Sequence, residues 1–416
     1  MRNRILSLIA AMVLTLSAYA MDIETARTWY LAGEAMEISV TDGDAIIAYA
    51  ELCDTHGLAA GVAVSLKEGY GTGVLELPSH LHSGYYVLSV YTRHTPQVSH
   101  KLIAVVNPLR KSKDDDIQWI SHSHPDSLSY PSIAKGDGFS KTDLVSEKAV
   151  DVRETEGHII KARVGNSHDG KTFCGSQIHP FLSIIGKQIH YFEGQMVNDS
   201  VAVFYTFDIH GKQPMVLSAM SSTGVALPIE IVSPFATLLP KQLPHLVFHY
   251  NRSEVEARSL DMQRHQKTMA QPQPLDYNET VYGTKPDLSY NLDEYRQFLT
   301  IREVLLEYVS CVKKTTIDDV PQLIVRKEQE VYNSAIPTLT LIDGMPVYDV
   351  DRLLNYDARR VHYINIYAGQ YTFGNSLYNG ILSFVTRSGQ LTNYPTESNM
   401  QYLVYEFPSD YCVNLK

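Results

Sequence analysis

Between residues 28 and 107 the chain is divided into short β-type runs separated by turn residues. In the run at 36–40, apolar Ile38 and Val40 alternate with polar Glu37 and Ser39, which is the period of a half-buried strand. Six or seven such strands in about 80 residues predict a β-sandwich, which we assign to residues 21–107. The runs lie at 36–40, 45–50, 62–66, 74–77, 85–91 and 102–106.

A second β block follows a polar stretch. Residues 108–150 carry few apolar repeats and are expected to form a linker or an irregular packing segment. Strand-type runs then predict a second β-sandwich over residues 151–252, and a polar, Pro-punctuated linker is expected at 253–292. The runs of the second block lie at 158–164, 181–185, 201–207, 215–219 and 229–232.

Beyond residue 293 the pattern changes from pure β to mixed α and β. Thr300 and Glu303 form a capping-box pair, which predicts a helix over 301–311. A strand at 336–342 runs into an Asp343-Gly344 turn, and a short helix and two further strands follow at 350–356, 363–367 and 380–386. The fold class is therefore predicted to be multidomain and mainly β, with two immunoglobulin-like sandwiches followed by an α+β domain over 293–416.

Residues 30–34 read Tyr-Leu-Ala-Gly-Glu, and residues 77–92 read Leu-Pro-Ser-His-Leu-His-Ser-Gly-Tyr-Tyr-Val-Leu-Ser-Val-Tyr-Thr. In order and spacing these segments resemble the macroglobulin-like β-sandwich at the start of many secreted proteins of Bacteroidetes-type bacteria. Residues 153–160 resemble the opening of the second sandwich in the same proteins. The resemblance implies a macroglobulin-like domain at 21–107.

An ordered set of turn and strand residues occupies the segments 341–347, 360–367 and 373–389. Over about residues 295–390 it resembles the plug domain of TonB-dependent outer-membrane receptors, which implies a plug-like domain at 293–416. The segment 373–378, Phe-Gly-Asn-Ser-Leu-Tyr, departs from the Tyr-Gly-Ser-Arg-Gly-Ala type of loop in transporting receptors. The residues that carry the plug-like motif are Ile342, Asp343, Gly344, Gly374, Gly380, Thr386 and Gly389.

The plug-like block is followed by a short C-terminal segment. Gly389 leaves 27 residues before the end of the sequence. The smallest membrane barrels use about eight strands of about 9–11 residues each, so we expect no barrel after this block. Under that expectation the plug-like domain is either an adaptor retained without its channel or a fold reused for binding.

The first twenty residues have the pattern of a secretory signal. Arg2 and Arg4 precede an apolar run at 5–16, and Ala18-Tyr-Ala20 supplies a small-x-small cleavage site. An N-terminal anchor is the alternative, but the run is shorter than the roughly 20 residues that span a bilayer. We expect a signal peptide at 1–20, no transmembrane segment after its cleavage, and export to the periplasm or the periplasmic face of the outer membrane.

The charge balance excludes nucleic acid as a partner. Lys and Arg number 35 against 46 Asp and Glu, a formal charge of −11, whereas nucleic-acid binding needs clustered cations. The four cysteines are too few for a disulfide framework, and Cys311 with Cys412 is the candidate intradomain pair. Cys174 and Gln177 have the spacing of the macroglobulin thioester, with a surface turn or a disulfide as the alternatives.

Chemistry-bearing motifs are sparse. His122, His124 and Asp126 lie within five residues, but adjacent ligands without a remote second pair are weak grounds for a metal. The sequence contains no G-x-S-x-G, H-E-x-x-H, Walker-type or G-x-G-x-x-G pattern. We therefore expect no catalytic residues, no cofactor and no metal, and a protein that is not an enzyme.

Three functions remain open at the level of sequence. The first is a non-enzymatic exported protein associated with the outer membrane, in which the plug-like domain docks an outer-membrane or periplasmic protein. Its contacts would come from exposed Tyr363, Tyr367, Tyr371 and Tyr378, although a core role for alternate members fits equally well. The second is a glycan or small-molecule binding module, with Trp29 or the Tyr-rich sandwich faces stacking on sugar rings. The third is an enzyme with a dispersed site.

Overall fold

The computed structural model of the protein describes most of the chain beyond residue 20. The described residues are 21–43, 45–93, 97–107, 110, 116–120, 153–155, 157–167, 170–185, 188–222, 225–269, 280–281, 284–317, 320–326, 336–373, 376–388 and 399–409. The predicted signal peptide, His122, His124, Asp126, Gly374, Gly389 and Cys412 all lie outside them.

The first β block forms the predicted β-sandwich. One sheet has the strand order β1-β3-β6 and the other β2-β8-β7-β4-β5. In β3 the side chains of Met36, Ile38 and Val40 point into the core between the sheets, as the alternation in the sequence predicts. The strands are β1 Asp22–Thr25, β2 Trp29–Leu31, β3 Ala35–Thr41, β4 Ile47–Cys53, β5 Leu58–Ser65, β6 Tyr70–Glu76, β7 Gly84–Thr92 and β8 Val98–Val106.

The second β block also forms a β-sandwich. After β9 at Asp116–Ile120, its own strands are β10 His158–Val164, β11 Ile178–Ile184, β12 Gln188–Glu193, β13 Gln195–Asn198, β14 Val201–Thr206, β15 Gly211–Ser221 and β16 Ile229–Val232. One sheet has the order β13-β14-β10-β16. The other is completed by two strands from later in the chain, as described below. The mainly β architecture predicted from the sequence is thus confirmed.

A segment that runs from the end of the predicted second sandwich into the predicted linker at 253–292 packs on the first sandwich. Strand β17, Val247–Asn251, pairs in parallel with β9, and helix α1, Arg252–Met269, follows directly. Phe248 packs against Trp29, and the guanidinium of Arg258 lies 3.7 Å from the Trp29 ring centroid. Arg258 also makes a two-pronged ion pair with Glu34. Polar composition had suggested a loose connector at 253–292, but the contacts of Arg258 fix helix α1 to the first sandwich. Phe248 was expected in the second sandwich and packs on the first instead.

The C-terminal block forms a five-stranded sheet with two helices on one face. The sheet order is β19-β24-β25-β22-β23, while β20 and β21 form a separate hairpin. The capping box is confirmed, because Thr300 N donates to Glu303 Oε2 at 3.0 Å. The elements are β18 Thr280–Val281, β19 Leu288–Asn291, α2 Ile301–Glu307, β20 Val312–Ile317, β21 Val320–Val325, β22 Leu339–Ile342, β23 Met345–Pro346, α3 Val350–Leu354, β24 Val361–Phe373, β25 Ser376–Thr386 and β26 Met400–Phe407.

The last strand returns to the second sandwich. Strand β26 pairs antiparallel with β15, from Gly211 opposite Phe407 to Ser218 opposite Met400. The resulting sheet has the order β18-β12-β11-β15-β26. The sequence prediction placed these residues in the plug-like domain at 293–416, and the structure differs because Tyr405 and Phe407 are buried in the core of the second sandwich. The rest of the plug-like unit is therefore an insertion between two neighbouring strands of one sheet.

Candidate functional site

The plug-like motif gathers around the turn between β22 and β23. Asp343 and Gly344 both have positive φ, 47° and 89°, which is the backbone of a tight two-residue hairpin turn. The Asp343 carboxylate is buried and accepts two hydrogen bonds from Thr386, from the backbone N at 2.6 Å and from Oγ1 at 2.5 Å. Four motif residues, Ile342, Asp343, Gly344 and Thr386, thus join the turn to the end of β25.

Gly380 lies in strand β25 of the same sheet. Its φ is +92°, and a Cβ added there would lie 3.1 Å from Tyr367 O and 3.3 Å from Val325 Cβ. The position stands beside a register shift in the β24–β25 ladder, where only glycine fits without moving the hairpin. The motif residues that the structure describes therefore have structural roles in the sheet. Gly374 and Gly389 lie outside the described residues.

The four tyrosines proposed as an exposed docking face do not form one. Tyr367 is only 1% exposed, and Tyr371 and Tyr378 pack with it against the second sandwich. Tyr363 is half-buried beside His362. Of the two roles that the sequence left open for these tyrosines, the structure shows packing, because this side of the plug-like sheet is covered by another sheet, which sequence periodicity does not reveal.

The covering sheet is β18-β12-β11-β15-β26, and its central part is buried on both faces. On one face Leu182 and Leu217 belong to the core of the second sandwich. On the other face Phe181 and Tyr191 pack against Ile381 of β25. The second sandwich and the plug-like unit are therefore one three-sheet stack, with α2 and α3 as the outer layer.

A cleft of about 590 Å³ opens at one side of this stack. Its walls come from β11, β15, the β20–β21 hairpin and the segment 346–350. The tyrosines Tyr191, Tyr348 and Tyr378 all line this cleft, and Tyr348 Oη lies 3.0 Å from Ser218 Oγ. Burial raises the pKa of Tyr191 well above its ordinary value and that of Tyr378 to about 12, so both hydroxyls stay protonated.

A buried charged cluster joins the two sandwiches. Glu154 Oε1 accepts from Tyr49 Oη at 2.6 Å and from Arg93 Nη1 at 2.9 Å, and it lies 3.1 Å from His158 Nδ1. His158 Nε2 lies 2.7 Å from Tyr405 Oη. A neutral imidazole satisfies both contacts when Nδ1 donates to Glu154 and Nε2 accepts from Tyr405.

The burial and the charges of this cluster shift the pKa values of Glu154 and His158. Burial by itself favours the neutral acid at Glu154, but the hydrogen bond from His158 and the charge of Arg93 outweigh it and hold the Glu154 pKa below its ordinary value. Burial lowers the pKa of His158, so the ring is neutral. All five side chains of the cluster are buried, which makes it a joint between domains. Sequence reasoning missed it, since the only local signal is the four-residue spacing of Glu154 and His158.

A second joint holds the segment after β16. Glu51 accepts hydrogen bonds from the backbone N of Thr237 at 3.0 Å and of Leu238 at 2.5 Å, and Tyr91 Oη donates to the same carboxylate at 3.0 Å. Burial raises the pKa of Glu51, although these donors oppose the shift. The segment that leaves the second sandwich is thereby fixed to β4 of the first.

The cysteines and the candidate metal ligands give no reactive centre in the described residues. Cys53, Cys174 and Cys311 are free thiols, and the predicted partner Cys412 lies outside the described residues. Cys174 is exposed on a short turn in which its backbone N donates to Gln177 Oε1. No group of three or more His, Cys, Asp or Glu within the described ranges is placed to hold a metal ion.

Trp29, the predicted sugar platform, is 6% exposed and covered by Arg258 and Phe248, so it offers no open face for stacking. This removes the one tryptophan on which the glycan hypothesis for the sandwiches relied. Among the helices described, none is long and apolar enough to cross a membrane.

Comparison with known proteins gives distant likenesses. No protein-family model matches the chain, and no curated protein matches it. Similar solved structures include Escherichia coli alpha-2-macroglobulin activated by porcine elastase, with 12% identity, 53% of this chain and 20% of that chain covered, and a TM-score of 0.20. The E. coli adhesin FdeC is 11% identical, with 54% of this chain and 63% of that chain covered, and a TM-score of 0.19.

A putative membrane anchored protein from Corynebacterium diphtheriae is 11% identical, with 55% of this chain and 60% of that chain covered, and a TM-score of 0.19. This chain spans less than two thirds of the length of each of these proteins. Likenesses at such identities and TM-scores do not establish a shared fold or a shared function.

Proposed function

We propose that this is a non-enzymatic exported protein that associates with the outer membrane and uses its plug-like unit as a docking module for another protein. The observation that carries the proposal is a pair of exposed leucines on the outer layer of that unit. Leu306 on α2 is 80% exposed and Leu299, just before the helix, is 63% exposed. In this proposal the two leucines are the apolar contacts that a partner covers.

The construction of the unit supports this role. Ile301, Val304 and Leu305 of α2 pack on the sheet, so Leu306 necessarily faces outward. The opposite face of the sheet is buried on the second sandwich, and buried clusters at Glu154 and Glu51 join the two sandwiches. In this proposal the macroglobulin-like sandwiches act as a rigid spacer that presents the outer layer in a fixed direction.

The proposed export rests on the first twenty residues, which resemble a signal peptide. The proposed non-enzymatic role rests on the burial of the charged cluster at Glu154 and His158. Glu154 and His158 are 8% and 3% exposed, so this charged cluster is closed to a substrate. Docking through apolar contacts needs no such chemistry.

Cell-envelope fractionation tests the proposal. The tagged chain and its Leu306→Lys and Leu299→Lys variants are compared for co-purification with an outer-membrane complex. Leu260→Lys on α1 is the matched control, because Leu260 is 54% exposed on a different helix. We expect the first two variants to lose the complex and the control to retain it. Fractionation of the parent protein alone in the soluble fraction contradicts the proposal.

A further inference from the structure

A small recess opens on the outer layer of the plug-like unit. The buried side chains of Leu292, Val304 and Ala358 line its base, and the segment 295–298 and Tyr308 line it nearer the surface. Its volume of about 10 Å³ is close to the space that one water molecule needs. Small-molecule pockets are usually about 300–1,000 Å³, so this recess suits the tip of one side chain of a partner protein.

Three half-buried aromatic rings line the recess. Tyr295 and Tyr308 meet with ring centroids 4.6 Å apart, and Phe298 meets Tyr308 at 5.5 Å. The Tyr308 hydroxyl donates to the backbone O of Arg296 at 3.4 Å, which ties the end of α2 to the segment before the helix. Each ring keeps part of its surface in water, unlike the buried rings inside the three-sheet stack. The rings are therefore open to an apolar group of a partner.

Arginine supplies the charge of the lining. Arg296, Arg359 and Arg387 are exposed and line the recess, whereas no Asp or Glu does so among the described residues. Asp293 holds the Arg387 guanidinium through two hydrogen bonds, and Asp357 holds that of Arg359 in the same way. The Arg296 guanidinium has no ion-pair partner within the described part of the chain. The recess is therefore positive, and two of its arginines are held in place before a partner arrives.

These arginines have hydrogen-bond donors to spare. A guanidinium carries five N–H donors in a planar fork. Within the described residues Arg387 uses three of them, one on the backbone O of Arg359, and Arg359 uses two. A carboxylate placed at the recess gains charge-assisted hydrogen bonds from the remaining donors. The whole chain has a formal charge of −11, so an acidic segment meets an attractive charge here and a repulsive one over most of the protein.

The recess adjoins the proposed docking surface. Leu299, which is 63% exposed, directly follows Phe298, and its backbone O accepts a hydrogen bond from Ala358 N at 3.1 Å. Phe298 and Ala358 both line the recess. A partner that covers Leu299 therefore lies against the recess as well.

We propose that this recess binds an acidic segment of the docking partner, in which an Asp or Glu stands beside an aromatic or aliphatic residue. The carboxylate takes donors from Arg296, Arg359 and Arg387, and the apolar neighbour packs on the half-buried rings. An anionic lipid surface fits less well, because its closely spaced charges would also meet Asp293 and Asp357. This inference rests on the proposed docking function and names the chemistry of the partner.

Fluorescence anisotropy with the full chain tests the inference. The probes are three labelled peptides that alternate Asp with Phe, Asn with Phe, or Asp with Gly. We expect the Asp–Phe peptide to bind and each of the other two to bind about tenfold more weakly, since one lacks the charge and the other the rings. Binding of the Asp–Phe peptide should also weaken between about 0.05 and 0.5 M salt, because salt screens exposed charges.

Arg296→Glu reverses the charge at an exposed position and should weaken the Asp–Phe peptide about tenfold. Arg264→Glu is the matched control, since Arg264 is 78% exposed on α1, and should bind the peptide as the parent protein does. Circular dichroism confirms that both variants are folded. No binding of the Asp–Phe peptide, or an equal effect of the two variants, overturns the inference. Binding of phosphatidylglycerol vesicles that Arg296→Glu abolishes, with no binding of the peptide, overturns it in favour of a lipid surface.

The docking function fails or holds separately. If the peptide does not bind but the outer-membrane complex still co-purifies in a manner that depends on Leu306, only the acidic-segment inference is overturned. Peptide binding by a parent protein that forms no complex contradicts the docking function instead.

Discussion

Thr386 donates its backbone N–H and its hydroxyl to the two carboxylate oxygens of Asp343, at 2.6 and 2.5 Å. The two residues are 43 positions apart in the chain, yet the pair closes the turn after β22 onto the end of β25. Because Asp343 is buried, each donor replaces water that the carboxylate would otherwise need. The pair therefore extends the pairing of β22 with β25 at this corner of the plug-like sheet.

Asp343→Asn should destabilise the protein by about 2–3 kcal/mol, since it replaces charge-assisted hydrogen bonds and points an amide N–H₂ at a donor. Asparagine tolerates positive φ as well as aspartate does, so the substitution isolates the carboxylate chemistry. Asp261→Asn on α1, an exposed position, should change stability by less than about 0.5 kcal/mol. Urea unfolding measures the stability of both variants and of the parent protein. Equal unfolding midpoints for Asp343→Asn and the parent protein would contradict this role for Asp343.

The joint at Glu154 and His158 should make stability depend on pH. The folded-state pKa of His158 lies below its ordinary 6.5 and that of Glu154 below its ordinary 4.5, so in both cases the unfolded chain binds protons first as the pH falls. Stability is then fully present above about pH 6.5 and falls on acidification, through His158 first and through Glu154 below about pH 4.5.

His158→Gln removes the first of these steps. Unfolding free energies measured in urea at pH 7 and pH 5 should differ less in the variant than in the parent protein, because glutamine does not titrate. His56→Gln is the control, since His56 is exposed and lies outside the joint. If the parent and His158→Gln show the same difference between the two pH values, the buried imidazole does not contribute as described.

Strand β26 should stabilise the second sandwich only through the side chains on one of its faces. Phe407 is 1% exposed in the core of that sandwich, whereas Val404 on the same strand is 62% exposed. Phe407→Ala should cost about 3–5 kcal/mol and Val404→Ala less than about 0.5 kcal/mol. Thermal unfolding distinguishes them, and a small effect of Phe407→Ala would show that β26 is not part of this core.

Local patterns in the sequence predicted the parts of the fold that depend on neighbouring residues. The alternation in β3, the capping box at Thr300 and the Asp343-Gly344 turn are set by residues at most a few positions apart, and each is found as predicted. The sandwich around β3 and the helix after Thr300 follow from these signals. Helix α2 is shorter than predicted, ending at Glu307, because the chain turns into β20 soon afterwards.

Contacts between distant segments were not predictable in this way. His158 meets Tyr405 across 247 residues and Arg93 meets Glu154 across 61, and neither pair leaves a periodic mark on the sequence. The return of β26 to the second sandwich and the cleft lined by Tyr191 and Tyr348 depend on the same kind of long-range packing. Tyrosines that looked suited to a partner protein are buried for this reason.

The most direct test of the docking function is site-specific photo-crosslinking in the exporting cell, with a photoreactive amino acid at position 306 or at position 260. Both positions are exposed leucines on helices, so reactivity alone does not distinguish them. The docking proposal predicts a discrete crosslink to one envelope protein from position 306 and none from position 260. The same adduct from both positions, or none from position 306, would contradict it.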